Sequence, residues 1–349
     1  MKIIKYLFFI LLIVIIGGAV FIATKDGEIR VEESKVIEAP DELLFKIVNE
    51  FKTWEKWGPW MDESEDMIMK YPSNTSGDGA SYSWTSETQP DGSMKTIQSI
   101  PFASINQKLT MLIPVVGETN SDVFWKFEKL EGKKTKVTWG MKGEQGFMEK
   151  MFWMTKDSTA SESIAPMYQR GLEKLDLFVQ EKMKEYTIHV DGLTEHGGGF
   201  YMYNATASSI AAIPEKMSQM LPIVNAYIKQ NNLPQTGMPF TLFNEFNEEL
   251  GTAIYSVGVP VRERVITPVE SGVLCDFLPR QKAVKTTLKG EYSNLKEAWM
   301  AGYEYLAKNG LEADPASPPF EVYKSGPDLQ PNPAEWITEI YIPVLKTVE

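Results

Sequence analysis

The N-terminal segment constrains this chain most, because the apolar run from Tyr6 to Ala23 carries no charge and cannot be left in water. Lys2 and Lys5 precede the run, and its length matches the hydrocarbon layer of a bilayer at about 1.5 Å of rise per residue. The run predicts a single-pass membrane anchor within residues 1–29. A secretory signal cleaved after Ala19 and a buried helix are the alternatives.

The orientation of this anchor is less strongly determined. Two lysines precede the span, and Lys25, Arg30 and Lys35 follow it. The short basic N-terminal tail favours an N-inside arrangement, which places the soluble domains outside the cytoplasm. Domains on the cytoplasmic face are the alternative.

Length and charge limit the remaining function classes. A chain of 349 residues is long enough for two domains. Acidic residues number 47 against 35 basic ones, and no run of basic residues could follow phosphates, so nucleic acid is not an expected partner. With one cysteine and only His189 and His196, no metal site, cofactor or Cys/His catalysis is expected.

Residues 30–184 show the pattern of an α+β domain. A strand over residues 30–37 is followed by a helix start at Pro40 and by several short alternating runs. Turn signals such as Pro90-Asp91-Gly92 and Glu131-Gly132-Lys133 separate these runs, which is typical of antiparallel hairpins. A long helix over residues 167–186 ends the domain.

This segment resembles the START-like SRPBCC family in its polyketide cyclase/dehydrase branch. The resemblance implies a helix-grip fold around an apolar cavity, and it does not imply catalysis. Trp84, Trp125 and Trp139 are candidate ligand-binding residues of that cavity, with ordinary core packing as the alternative. The segments that carry the resemblance are Val36–Pro40, Trp54–Trp60, Gly79–Trp84, Thr135–Trp139 and Tyr168–Leu172.

Residues 185–349 contain an internal repeat. Tyr227–Leu233 parallels Tyr305–Leu311, and Pro239–Phe243 parallels Pro319–Tyr323 with nearly the same offset. Each copy predicts a helix, a loop containing proline and a strand. Two strand-helix-strand-strand units paired about a pseudo-twofold axis would leave a cleft between them, which is a common place for a ligand.

The same segment resembles the GyrI-like family, the effector-binding domain of AraC-type and MerR-type regulators. The sequence departs from the family pattern at Lys289, where a histidine often precedes the glycine, and it contains no helix-turn-helix segment. The stretches that carry the resemblance are Leu288–Tyr292, Ala298-Trp299 with Tyr303, Phe320–Tyr323 and Trp336–Val344.

The resemblance implies a glutamate at the base of an aromatic pocket, and we assign that role to Glu339. On a strand Glu339 shares a face with Ile337 and Tyr341, an unusual setting for a charge. An ion pair on an exposed face is the alternative, and Glu321 is expected to be a solvated rim residue. The predicted walls, suited to contact with a cation, are Trp336, Tyr341, Trp299, Tyr303 and Tyr323.

Three functions follow from these patterns. The first is a membrane-anchored binding protein for a small hydrophobic molecule, cationic ones included, in sensing or sequestration. The second is a hydrolase of small reactive electrophiles that uses Glu339 as its catalytic group. The third is a protein-interaction module whose pockets are filled by side chains; its protein partners are unknown.

Overall fold

The computed structural model describes residues 2–62, 64, 66–114 and 116–345, so the last four residues of the predicted 185–349 domain lie outside it. The chain divides into two compact units, Met1–Lys182 and Met183–Glu349. The first begins with α1 (Lys2–Ala23). In the described part of the chain this is the one helix long and apolar enough to cross a membrane.

The rest of the first unit is an antiparallel sheet with helices before and after its main strands. The seven strands lie in the order β1-β7-β6-β5-β4-β3-β2, so the first strand pairs with the last. The elements are β1 (Glu28–Ile37), α2 (Asp41–Asn49), α3 (Trp54–Trp57), β2 (Ile68–Lys70), β3 (Ser81–Thr85), β4 (Asp91–Ile100), β5 (Ser104–Ile113), β6 (Gly117–Leu130), β7 (Lys134–Glu144), α4 (Phe147–Trp153) and α5 (Ala160–Lys184).

Aromatic rings fill the space between this sheet and its helices. The Trp125 and Trp139 rings stack with their centroids 4.5 Å apart, and Tyr168 of α5 stacks on the other side of Trp139 at 3.9 Å. Trp84 is half-buried, and its indole N–H donates to the Pro90 carbonyl at 2.9 Å. Trp125 and Trp139 therefore pack against each other, and Trp139 also packs against α5, as the core-packing alternative expects. Their ligand-binding role stays a prediction.

The second unit is one eight-stranded antiparallel sheet with two long helices. Its strand order is β12-β9-β11-β10-β14-β15-β13-β8, which brings β10 and β14 together at the centre. The elements are β8 (Thr187–His196), β9 (Gly199–Ser209), α6 (Ile213–Gln230), β10 (Phe240–Asn247), β11 (Thr252–Val261), β12 (Leu274–Leu278), β13 (Gln281–Lys289), α7 (Leu295–Lys308), β14 (Phe320–Ser325) and β15 (Ile337–Pro343).

Both helices of the second unit lie on the same face of the sheet. Val224 of α6 packs on the β9–β11 side, and Ala298 of α7 packs on the β13–β15 side. The central strands β10 and β14 run between the two helices, and Thr241 pairs directly with Glu321 there. Apolar side chains that would otherwise face water thus cover the sheet, while the middle of the face is left to polar and aromatic groups.

Candidate functional site

The middle of the helix-bearing face holds a buried carboxylate. Glu321 lies on β14 and is only 4% exposed. Side chains alternate between the two faces of a strand, so Glu321 and Tyr323 point to the same side, toward α6 and α7. The register with β10 adds Thr241 to this side, because directly opposed residues of antiparallel strands share a face.

Neutral donors hold the carboxylate of Glu321. The indole N–H of Trp299 donates to Oε1 at 2.6 Å, and the Tyr323 hydroxyl donates to Oε2 at 2.6 Å. The Tyr323 hydroxyl also lies 3.0 Å from Thr241 Oγ1 and 3.6 Å from the Met217 sulfur of α6. Both helices and both central strands therefore contribute to one hydrogen-bonded cluster around Glu321.

Burial governs the electrostatics of this cluster. It raises the pKa of Glu321, and the hydrogen bonds from Tyr323 and Trp299 oppose that rise because they favour the ionised form. Burial also raises the pKa of Tyr323 well above its ordinary value, and the adjacent Glu321 carboxylate adds to the rise. The site thus carries one carboxylate that water does not solvate and that binds protons more readily than an exposed glutamate.

Aromatic rings surround the cluster on two sides. Tyr323 packs edge-on against Tyr292 at 5.7 Å, and Tyr292 lies 4.8 Å from Trp336, whose indole N–H donates to the Gln330 carbonyl. On the α7 side, Trp299 meets Phe243 edge-on at 5.8 Å and lies nearly parallel to Tyr303 at 6.2 Å. The structure therefore brings four of the predicted walls to this face: Trp336, Trp299, Tyr303 and Tyr323.

A cleft of about 360 Å³ opens next to Trp299. Phe243 and Tyr303, the two rings that pack on Trp299, line it together with the proline-rich segment 313–319. Ile342 and Pro343 at the end of β15 complete the lining. Trp299 consequently contacts rings of the cleft on one side and the buried carboxylate on the other.

Glu339, to which we assigned the pocket role, lies elsewhere. Its strand partner is Val322, whereas Glu321 pairs with Ile340, so the two glutamates point to opposite faces of the sheet. Glu339 contacts the Lys285 ammonium at 2.8 Å and accepts a hydrogen bond from the Tyr341 hydroxyl at 3.0 Å. The expectation that Glu339 lies among the aromatic walls of α7 and β14 is therefore corrected. Strand alternation places Glu339 on the opposite face of the sheet from those walls.

Tyr341 and Glu321 also differ from their expected surroundings. The Tyr341 ring stacks on Phe320 at 4.9 Å, and His196 packs edge-on against both rings. This aromatic group occupies the helix-free face together with Glu339, so Tyr341 does not join the walls around Glu321. Glu321 itself is buried and is not the solvated rim residue that we expected.

One signal in the sequence could have identified Glu321. The predicted internal repeat aligns Glu321 with Thr241, and in a symmetric pairing of two such units equivalent central residues would meet at the axis. A residue at that position is covered by both helices. Glu339 sits one strand further out, where alternation alone does not decide which face is covered.

The described residues contain no group of three or more histidine, cysteine, aspartate or glutamate side chains that could hold a metal ion. The sequence expectation of no metal and no cofactor stays a prediction. The polar groups nearest Glu321 are an indole, a phenol and a threonine hydroxyl, which suit an organic ligand better than a cation of high charge density.

Comparison with known proteins assigns this part of the chain. The family model of the GyrI-like small molecule binding domain matches residues 201–345. These residues form a GyrI-like small-molecule binding domain. No curated protein matches the chain.

Several solved structures are similar to part of the chain. The C-terminal domain of EcmrR is 22% identical, with 46% of this chain and 99% of that domain covered at a TM-score of 0.40. EcmrR in its complex with DNA is 20% identical, with 56% and 76% covered at a TM-score of 0.41. A protein from Chromobacterium violaceum is 13% identical, with 43% and 95% covered at a TM-score of 0.33.

Proposed function

We propose that this protein is a membrane-anchored receptor for a small, lipophilic cation, and that Glu321 of the GyrI-like domain binds the charge. The receptor would sense or sequester its ligand at the bilayer surface, where lipophilic cations accumulate. The observation that carries the proposal is a buried carboxylate whose hydrogen-bond partners, Trp299 and Tyr323, are both neutral.

A carboxylate without an opposite charge is costly to bury, and the raised pKa of Glu321 expresses that cost. A cation that enters the site regains Coulomb energy in a medium of low dielectric constant, so the cost becomes selectivity for positive charge. A neutral ligand of the same shape gains none of this Coulomb energy. The charge of the ligand is therefore the property that this site discriminates best.

The surroundings of Glu321 fit the apolar part of such a ligand. The faces of Trp299, Tyr303 and Trp336 offer cation–π contacts, and the adjoining cleft of about 360 Å³ is within the range of small-molecule sites. Because Trp299 contacts both the carboxylate and two rings that line the cleft, Phe243 and Tyr303, we expect the ligand to enter through the cleft. It would then replace the Trp299 hydrogen bond to Glu321.

The first unit and the anchor complete the proposal. The exposed apolar helix spans Ile3–Ala23, which corresponds to about 32 Å at 1.5 Å per residue and matches a bilayer core. We propose that it holds the protein in the membrane with both domains outside the cytoplasm. We also propose that the first unit is START-like and that Trp84, Trp125 and Trp139 line a cavity which opens when its aromatic stack separates.

The test compares a cation with a neutral molecule of similar size on the full chain in detergent. Tetraphenylphosphonium and triphenylphosphine oxide serve as the two probes, and calorimetric titration gives their dissociation constants. We expect Glu321→Gln to weaken tetraphenylphosphonium binding at least about 30-fold, since removing one partner of a buried charge pair costs about 2 kcal/mol or more. Binding of the neutral probe should change little.

Glu339→Gln is the matched control, because it makes the same chemical change on the same sheet but on the opposite face. It should leave the affinity for both probes unchanged. Equal losses of cation affinity in Glu321→Gln and Glu339→Gln would contradict the assignment of the charge site. Loss in Glu339→Gln alone would return the role to the glutamate that the sequence suggested.

Hydrolysis of a reactive electrophile is the second candidate function. The raised pKa of Glu321 makes Glu321, not Glu339, the proposed acid–base group. A carboxyl group with a pKa closer to neutrality exchanges protons more effectively at physiological pH. Turnover of strained epoxides by the wild-type protein and its loss in Glu321→Gln would support this function. Equal rates in the two proteins would exclude it.

A further inference from the structure

The short helix α4 exposes an apolar surface that the first unit leaves uncovered. None of its residues is buried. Phe147, Met151, Phe152 and the following Met154 are between 38% and 49% exposed. Phe147, Met151 and Met154 recur at helical spacing and so share one side. Large apolar side chains rarely cluster on a water-exposed surface unless another surface covers them.

The position of α4 identifies what covers it. The helix contacts α1, the candidate membrane span. The backbone N–H of Gln145, just before α4, donates to the Gly27 carbonyl at 2.8 Å. The Lys150 ammonium of α4 donates to the Lys25 carbonyl at 2.7 Å. These bonds fix α4 beside the point where the chain leaves α1, at the height where a spanning helix meets the lipid headgroups.

The length and composition of α4 suit that height. Seven residues extend only about 10 Å, far too little to cross a bilayer, so the helix could lie along the interface but not span it. Phenylalanine, methionine and Trp153 are residues that enter the boundary between headgroups and acyl chains.

The charges around α4 indicate the kind of lipid contact. Three basic and three acidic residues occupy the helix, its C-terminal extension and the end of α1, so their charges cancel. Attraction to anionic lipids is therefore a minor contribution, and burial of apolar side chains must supply the binding. The six residues are Lys25, Lys150, Lys156, Asp26, Glu149 and Asp157.

We propose that α4 is a second membrane contact, which inserts its Phe147–Met151–Met154 side into the interfacial layer of the bilayer that α1 spans. This inference rests on the proposed membrane anchoring and adds to it. Two contacts, one spanning and one lying in the interface, restrict how the first unit can rotate about a single flexible attachment. The partner is a neutral lipid surface, not a protein.

The test places one fluorophore at a time in the full chain. Cys275→Ser removes the native thiol, and its hydroxyl can accept the hydrogen bond that the Val265 N–H gives to Sγ at 3.3 Å. Cysteines are then introduced as Met151→Cys on α4, Ile13→Cys on α1 and Leu177→Cys on the 67% exposed position of α5. Each variant is labelled with nitrobenzoxadiazole and reconstituted into phosphatidylcholine vesicles with or without nitroxide-labelled phosphatidylcholine.

We expect the lipid nitroxide to quench the probes at positions 13 and 151 at least about twofold more than the probe at position 177, which serves as the matched exposed control. Adding phosphatidylglycerol should not change the quenching at position 151, because the local charges cancel. Strong quenching at position 13 without quenching at position 151 would overturn the inference while leaving the anchor intact. Absence of quenching at position 13 would instead refute the anchor itself.

A protein partner on α4 would give a different result. It would shield the probe at position 151 from aqueous iodide in vesicles, but the lipid nitroxide would not quench that probe. Shielding of that kind would overturn the inference in favour of a second copy or another protein. Shielding together with lipid quenching would support it.

Discussion

Replacing Glu321 by glutamine should stabilise the protein at neutral pH, although the residue is buried and makes two hydrogen bonds. Glutamine has nearly the same shape, and its amide oxygen can accept the hydrogen bond from Trp299. Its amide nitrogen can donate to the Tyr323 oxygen, while the Tyr323 hydroxyl turns to Thr241 Oγ1 at 3.0 Å. The substitution therefore removes the buried charge and keeps partners for the Trp299 and Tyr323 donors.

The magnitude follows from the balance at the carboxylate. With 4% exposure, the side chain has lost nearly all of its water, which costs an ion several kcal/mol. Two hydrogen bonds to a charged acceptor return about 1.5–3 kcal/mol each, and the raised pKa of Glu321 shows that the sum falls short. We expect Glu321→Gln to gain about 1–3 kcal/mol at pH 7, the part of the desolvation cost that the two hydrogen bonds leave uncompensated.

The stability difference between Glu321→Gln and the wild type should depend on pH. A glutamate whose pKa is raised in the folded state contributes stability that is fully present below its unfolded pKa of 4.5 and is lost as the pH rises through the folded pKa. As the pH rises from 4.5 through the folded pKa, the wild type loses stability because the unfolded chain releases the proton more easily. The glutamine variant has no such loss, so its advantage should be absent near pH 4 and grow toward neutrality.

Calorimetry of the full chain between pH 4 and pH 8 measures this difference. The two units need not unfold together, so the relevant transition is the one that Glu321→Gln shifts, by about 2–4 °C for each kcal/mol in a unit of this size. Glu339→Gln is the control of opposite sign, because it breaks the 2.8 Å contact with Lys285 and should lower stability. A Glu321→Gln variant that is less stable than wild type at pH 7, or equally shifted at every pH, would refute the reasoning.

Two further substitutions test other parts of the structure. Lys285→Met should lower the free energy of unfolding by about 1–3 kcal/mol, since it leaves the 15% exposed Glu339 without its nearest cation. Adding Glu339→Gln should recover most of this loss in a double-mutant cycle measured by urea unfolding. Gly171→Ala should cost about 1–2 kcal/mol despite the helix propensity of alanine, because the added Cβ would lie 2.5 Å from the Trp139 ring; a variant more stable than wild type in thermal unfolding would contradict this packing.

Much of the secondary structure could be predicted from local patterns. The strand predicted over residues 30–37 is the greater part of β1, and the Glu131-Gly132-Lys133 turn separates β6 from β7. The last helix of the first unit begins at Ala160, earlier than the predicted residue 167, and Pro166 lies inside it. A proline within a helix suggests a boundary from sequence, but a helix tolerates it when packing elsewhere compensates the lost hydrogen bond.

The candidate site was harder to predict, because both glutamates occupy equivalent local settings. Glu321 follows a phenylalanine and Glu339 lies between isoleucine and tyrosine in the alternation, so neither pattern shows which face is covered. The answer depends on strand order and on the placement of two helices distant in sequence. Trp299 and Tyr323 were recognised as site residues because the GyrI-like resemblance implies an aromatic pocket around a glutamate, but their common partner was assigned to the wrong strand.

The pairing of Thr241 with Glu321 explains why the site carries a single charge. On the proposed duplication these residues are equivalent, and their Cα atoms face each other across the axis at about 4.5–5.5 Å. Two carboxylates at that distance could not both ionise in a buried site, since the second would have its pKa raised strongly by the first. A shared proton would then neutralise much of the attraction for a cation. Threonine at the second position instead offers a hydroxyl to Tyr323, which in turn donates to Glu321. Threonine at position 241 therefore leaves Glu321 as the one carboxylate of this hydrogen-bonded cluster, as the proposed binding of a singly charged cation requires.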